Sequence, residues 1–251
     1  MKNKEAIRIL DFFGIIFYEM DYYKTIKILK KSKGYLVAPA ASALSLIKNK
    51  EFFHIALKKS RIAIFDSGFF CICLILLKGI NFKKFSGYKF MKFFLQDNNV
   101  KKDKILSLDS SKQDSKMNFN YLKKKRFRFV KNYICPIYDP KKIYDYSLLK
   151  TINKYKPKFI IINLSGTVQE PLALFIIKNL KYKPIIFCTG AALSFFTGMQ
   201  APINNFVDKF YLGWLIRIIY NPIKNIPRIF ISIKLFNLVL KSKIKVKSII
   251  I

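Results

Sequence analysis

This chain is short of histidine and of acid. Its 251 residues include one histidine, His54, one tryptophan, Trp214, and only 14 Asp and Glu. With a single histidine and four cysteines (Cys71, Cys73, Cys135 and Cys188), none in a C-x-x-C pair, the pattern of a His/Cys zinc site is missing. Each cysteine lies in an apolar run, where a free thiol behaves as a small hydrophobe, and a reducing cytoplasm is the economical inference. Long apolar runs are absent too. The longest, Phe69 to Leu77, is far short of the roughly 20 residues that span a bilayer. The N-terminal MKNKEAIRILDFFGIIF is basic and then apolar, but Glu5 and Asp11 interrupt it and no small-residue cleavage site follows, so no targeting segment is expected. Hydrophobic residues make up 52% of the chain, which excludes wholesale disorder. The length suits one domain with an extension, or two small domains.

Positive charge is abundant: 47 Lys and Arg give a formal net charge of +33. Such a field attracts nucleic acid, anionic lipid or diphosphate substrates. The excess is mainly lysine and comes with much Ile, Phe, Tyr and Asn, the mix an AT-rich coding sequence gives, so charge alone chooses no partner. No RRM, KH or zinc-finger motif is present and the lysines are spread throughout, so nucleic acid is not the expected partner.

Strand and helix patterns alternate. Gly34 to Ala38 reads as a strand and residues 42 to 59 as a helix. Arg61 to Phe65 reads as a strand, ending at Asp66-Ser67-Gly68 before an apolar, buried helix. Lys104 to Leu108 and Phe127 to Val130 are weaker strands, with Ser110 to Lys116 a polar loop between them leading to a helix. Ser147 to Tyr155 is helical. Phe159 to Leu164 is a β-branched strand, apolar apart from Asn163, of the kind buried on both faces of a parallel sheet. The turn Ser165-Gly166-Thr167 leads to a helix ending near Leu180, and Ile185 to Cys188 is a further buried strand before Thr189-Gly190. This order predicts an α/β, Rossmann-like layered domain with a mainly parallel sheet over residues 1–198. Ligands in such sheets bind at the carboxyl ends of strands, where the loops at Asp66, Gln169 and Gly190 fall. A basic helical extension is expected over 199–251, with helices at Phe206 to Tyr220 and Pro222 to Leu240. Asn221-Pro222 reads as a cap with a first-turn proline, and Pro227 as a kink or restart. The extension mixes Trp214, Phe210 and many Ile with Lys209, Arg217, Lys224, Arg228, Lys234 and Lys241. That pattern fits an interfacial helix on lipid and, equally, a helix packed on the domain with solvated lysines.

The segment Gly190 to Arg228, GAALSFFTGMQAPINNFVDKFYLGWLIRIIYNPIKNIPR, resembles the C-terminal signature of the WecG/TagA/CpsF glycosyltransferases (family 26). Gly190, Ala191, Ala192, Phe195 and Gly198 fall in register, then Ala201-Pro202, Trp214-Leu215-Ile216-Arg217, Pro222 and Arg228. Upstream, Ser165 to Glu170 is similar to the family's G-x-P-x-Q-E loop, and Ile64 to Gly68 to its D-G loop. The resemblance covers roughly Gly34 to Leu235. Five positions depart from it: Ala38 and Ala40 of Ala38-Pro39-Ala40 stand for the T and N of T-x-N, Ser194 for an aspartate, Gly213 for the glutamate before tryptophan, and Lys89 for an acidic residue.

The resemblance implies inverting transfer of an N-acetylmannosamine-type sugar from a UDP-sugar to a polyprenyl-diphosphate-linked sugar in cell-surface polysaccharide synthesis. The enzyme would need no cofactor or metal and would lie on the inner, anionic face of the cytoplasmic membrane, with self-association left open. Such a reaction needs a base for the acceptor hydroxyl and groups to stabilise the leaving nucleoside diphosphate. The resemblance assigns the base to Asp66, for which the plainer role is a cap on the following helix. Gln169 suits sugar hydroxyls or an amide, and Glu170 the electrostatics of its helix start. Arg217 and Arg228 match a diphosphate, or are solvated helix residues. Gly68 and Gly190 would admit the donor to the backbone, or serve turn geometry. Loss of the chain after Gly198 is expected to abolish membrane association and transfer. Because Ala38, Ala40 and Ser194 replace polar groups, a member that binds a nucleotide sugar or a partner without transferring is the alternative, ahead of a basic nucleic-acid-binding protein.

Overall fold

The computed structural model describes residues 6–200 and 213–250. Its strands are β1 (Ala6–Phe12), β2 (Ile15–Tyr18), β3 (Gly34–Val37), β4 (Ile62–Ile64), β5 (Lys104–Asp109), β6 (Phe129–Ile134), β7 (Phe159–Asn163), β8 (Ile185–Cys188) and β9 (Lys245–Ile250). Helices α1 (Tyr22–Ser32), α2 (Ala41–Leu44), α3 (Glu51–Lys58), α4 (Gly68–Lys78), α5 (Gly87–Gln96) and α6 (Lys112–Lys124) lie in the first half. They are followed by α7 (Tyr146–Tyr155), α8 (Gln169–Asn179), α9 (Ser194–Thr197), α10 (Gly213–Tyr220) and α11 (Pro222–Lys241).

The strands form one nine-stranded sheet in the order β6-β5-β7-β8-β3-β4-β2-β1-β9. From β6 to β2 every pairing is parallel, and β1 and β9 join antiparallel. Side chains alternate between the faces of each strand. Tyr35 and Val37 join a core with α2, α3, α4, α7, α8 and α11, while Leu36 and Ala38 join one with α1, α5 and α6. Helices on both faces of a mostly parallel sheet make the Rossmann-like layered α/β fold that the alternation predicts.

The differences from the sequence reading have local causes. The segment read only as basic and then apolar is the β1–β2 hairpin. Phe13 (φ 54°) and Gly14 (φ 78°) make a two-residue turn of the kind that matches strand twist, and Asp11 Oδ1 accepts the Gly14 N–H at 2.7 Å. The single helix expected over 42–59 is two, α2 and α3, with turns between them. The polar segment at 110–116 is helix from Lys112 onward, because Ser111 caps it by accepting the Asp114 N–H at 3.0 Å. The strand read at Phe127 to Val130 starts two residues later and runs to Ile134. Helix α4 is buried on one side only: Ile72, Ile75 and Leu76 are exposed.

The expected wholly helical extension ends in a strand. β9 pairs with β1 from Ala6↔Ile250 to Asp11↔Lys245. α11 packs on α2 and α4, and its Leu235 and Val239, each 0% exposed, belong to the same core as β3 and α4. Pro222 takes the first position of α11, where a missing N–H is harmless, and Pro227 lies inside one continuous helix. Cutting the chain after Gly198 would therefore remove part of the core and one edge of the sheet, so loss of activity would report unfolding before it reported membrane docking. Among the described residues, no helix is long and apolar enough to cross a membrane.

Candidate functional site

Three loops meet at the carboxyl ends of β3, β4 and β8. β3 and β8 lie side by side, Leu36 opposite Phe187, and the Ala38 N–H donates to the Cys188 carbonyl at 3.0 Å. On the other side, β4 runs into Asp66, which is half-buried. Asp66 does not cap the helix that follows it. That cap is Ser67, whose Oγ accepts the Phe70 N–H at 3.1 Å. Instead Asp66 Oδ1 accepts the Gly87 N–H at 2.7 Å, at the start of α5. The Phe85 N–H donates to the Phe65 carbonyl at 3.0 Å, so the strand end and the start of α5 run together. A carboxylate held at a helix N-terminus is favoured by the exposed N–H groups and the dipole there.

Gly87 makes this approach possible. A Cβ on it would stand 3.2 Å from the Ala38 Cβ and 3.3 Å from the Thr189 Cβ, tighter than ordinary contact. The ends of β3, β4 and β8 and the first turn of α5 thus close around one glycine. Tyr88 stacks on Phe196 with ring centroids 4.9 Å apart, which draws α9 and Ser194 to the same side.

The loop after β7 forms the neighbouring wall, where Gln169 and Glu170 bond to each other and to the backbone around them. Gln169 is 2% exposed. Its Oε1 accepts the Gly190 N–H at 2.9 Å and its Nε2 donates to Glu170 Oε1 at 2.9 Å. It braces the β8 turn rather than offering its amide to solvent. Gly190 is in the left-handed region (φ 59°), so the brace holds a turn that favours glycine. Glu170 closes the loop as expected of a helix-start carboxylate, its Oε2 accepting the Thr167 N–H at 2.9 Å. Lys50 Nζ donates to Thr167 Oγ1 at 3.3 Å.

Complete burial pushes the Glu170 carboxyl up to about 7; its own N–H, the Gln169 amide and the Thr167 N–H offset this only in part. Between its ordinary 4.5 and about 7 the folded chain holds a proton that the unfolded chain has lost, so this contribution to stability falls as pH rises. Relative to Glu170→Gln, wild-type stability in urea is expected to drop by about 3 kcal/mol between about pH 4 and about pH 8. A difference that stays constant with pH would contradict this.

The other expected site residues are placed as follows. Gly68 opens α4, a position that needs no left-handed backbone. Arg228 is exposed on α11, one turn before Ser232, whose carbonyl accepts from Ser45 Oγ at 3.4 Å. The backbone of Arg217 belongs to α10, but its side chain, that of Trp214, and Ala201-Pro202 lie outside the described residues. Among the described residues, no three His, Cys, Asp or Glu side chains gather as metal ligands.

A polar cluster that sequence reasoning missed fixes the ends of β5, β6 and β7. Asp109 is fully buried. Its Oδ1 accepts from Ser107 Oγ (2.8 Å), Asn118 Nδ2 (2.7 Å) and Asn163 Nδ2 (2.9 Å), and its Oδ2 from Asn132 Nδ2 (2.8 Å). Burial raises the carboxyl's pKa and the four donors pull it down, with burial the larger effect. The available signal was Ser107 and Asp109 two residues apart near the end of β5, with Asn132 and Asn163 on the strands either side of it.

A family model, the glycosyl transferase WecG/TagA/CpsF family, matches residues 10–248. The chain belongs to this family. It is a glycosyltransferase of cell-surface polysaccharide synthesis. No curated protein matches it individually. The match extends through α11 and most of β9, the segment that the structure builds into the sheet.

Proposed function

We propose that this glycosyltransferase moves an N-acetylmannosamine-type sugar from a UDP donor to a hydroxyl of a polyprenyl-diphosphate-linked sugar, with inversion. The observation that carries the reading is the Asp66 carboxylate, set at a strand end and anchored through one oxygen to the Gly87 N–H in the crevice between β3, β4 and β8. In the proposed step, Asp66 takes the proton of the acceptor hydroxyl. The freed oxygen bonds to the anomeric carbon from the face opposite the leaving group, and the bond from that carbon to the diphosphate oxygen breaks, UDP keeping the electron pair. Arg217 and Arg228 are proposed to neutralise the departing diphosphate. Membrane placement is supported by Ile72, Ile75 and Leu76 on α4 and Phe230, Ile233 and Leu240 on α11. They are exposed apolar side chains on two packed helices that also carry Arg228, Lys234 and Lys241.

The second reading, binding without transfer, is favoured by Ala38, which is buried beside Gly87 and presents a methyl group at the strand end. UDP release, measured with a panel of UDP-sugars and a polyprenyl-diphosphate-GlcNAc acceptor, separates the two. Acceptor-dependent release is expected, greatest with UDP-N-acetylmannosamine. Donor binding without release under any pairing would leave the binding reading standing.

A further inference from the structure

Thr189 carries an unexplained group beside Asp66. It is 7% exposed, and its hydroxyl oxygen is sealed from water with no hydrogen-bond partner among the described residues. A buried hydroxyl without a partner is costly, by roughly 1–3 kcal/mol, and calls for a reason. Valine has nearly the same shape and no such cost, and it suits a strand end at least as well. The position of the threonine supplies the reason. Its Cβ lies 3.3 Å from where a Gly87 Cβ would be, and the Gly87 N–H is the group that anchors Asp66. Thr189 also precedes Gly190, the turn that Gln169 braces. Across Gly87 stands Ala38, whose methyl group can bond to nothing. The Thr189 hydroxyl is therefore the polar group at the meeting of β3 and β8 that has a hydrogen bond to give.

We infer that Thr189 positions the donor sugar, its hydroxyl exchanging a hydrogen bond with a sugar hydroxyl or N-acyl amide beside Asp66. The assignment rests on the proposed UDP-sugar reading and adds to it a residue that sets the sugar's orientation. Among the described residues the oxygen has no partner, and rotation about Cα–Cβ between staggered wells is the movement that presents it to the ligand. A site with a hydroxyl built in for one partner discriminates against sugars that lack that partner, because the buried group is then left unpaired again. Stability given up at a binding residue is the expected sign of function.

The test is calorimetric binding of UDP-N-acetylmannosamine and of UDP alone to wild type, Thr189→Val and Thr189→Ser, with thermal melting of each. Thr189→Val should weaken UDP-sugar binding about tenfold and UDP binding not at all, with a melting temperature equal to or above wild type. Thr189→Ser should retain the wild-type affinity. UDP-sugar affinity within twofold of wild type in Thr189→Val would overturn the inference. So would an equal loss for UDP, or a serine variant as weak as the valine one. Wild type that binds the UDP-sugar without releasing UDP to an acceptor would refute transfer while leaving the role of Thr189 intact. Wild type that binds no UDP-sugar would refute both.

Discussion

Asp66→Asn is expected to lower acceptor-dependent UDP release by about 10²–10⁴-fold while the chain stays folded. The two effects separate because of the bond at Gly87. An asparagine oxygen can accept the same N–H that Asp66 Oδ1 accepts at 2.7 Å, so the start of α5 keeps its anchor. What asparagine cannot do is take a proton. The loss should therefore fall on kcat, with donor KM changed only a few-fold and melting within a few degrees of wild type. If Asp66 merely anchored the helix, Asp66→Asn would be nearly silent and Asp66→Ala would lower stability. An asparagine variant with more than about a tenth of wild-type kcat would remove Asp66 from the chemistry.

The largest effect on stability is expected away from the crevice, at Asp109→Ala. That change removes one acceptor from each of three asparagine amides and from the Ser107 hydroxyl at once, in a fully buried place. Asn132 Nδ2 would keep the Ser115 carbonyl at 2.8 Å and Asn163 Nδ2 the Ser107 Oγ at 2.9 Å, whereas Asn118 Nδ2 and the Ser107 hydroxyl would lose the acceptor that holds them. Donors left unpaired in low dielectric, together with the cavity, should cost about 3–5 kcal/mol. For a chain of this size that is a fall in melting temperature of roughly 10 °C. Asp109→Asn keeps one accepting oxygen and should lose less. Because β7 feeds directly into the loop that holds Gln169 and Glu170, loosening its end should also weaken donor binding in the fraction that remains folded. A melting temperature within about 2 °C of wild type would show that the cluster contributes little.

The layered α/β fold was legible because two inner strands, β7 and β8, are short and almost wholly apolar. Phe159 to Asn163 and Ile185 to Cys188 could be read as buried on both faces without knowing what covers them. The edges were not legible. β9 alternates lysine with apolar residues and pairs with β1 at the other end of the chain, and no local pattern reveals a partner so distant. The same limit governed the site. Asp66 stood out as an acid after a strand, yet its anchor, Gly87, comes from the next helix, and only the folded chain shows that a glycine there lets β3, β8 and α5 close together. Gln169 and Glu170 were read as one residue for substrate and one for structure. The folded chain uses both amide atoms of Gln169 internally, and which neighbour a side chain turns to is decided by tertiary packing rather than residue type. Thr189 read as half of a turn, because a missing hydrogen bond leaves no trace in a sequence.

The most direct measurement is a crystal structure of the chain with UDP-N-acetylmannosamine bound. The account predicts the sugar in the crevice at the carboxyl ends of β3, β4 and β8, with Asp66 facing the anomeric centre and Thr189 within hydrogen-bonding distance of the sugar. Density for the nucleotide sugar instead in the lysine-lined groove of about 420 Å³ between α6 and β6, where Lys112, Lys116 and Lys131 converge, with the Asp66 crevice empty, would contradict it.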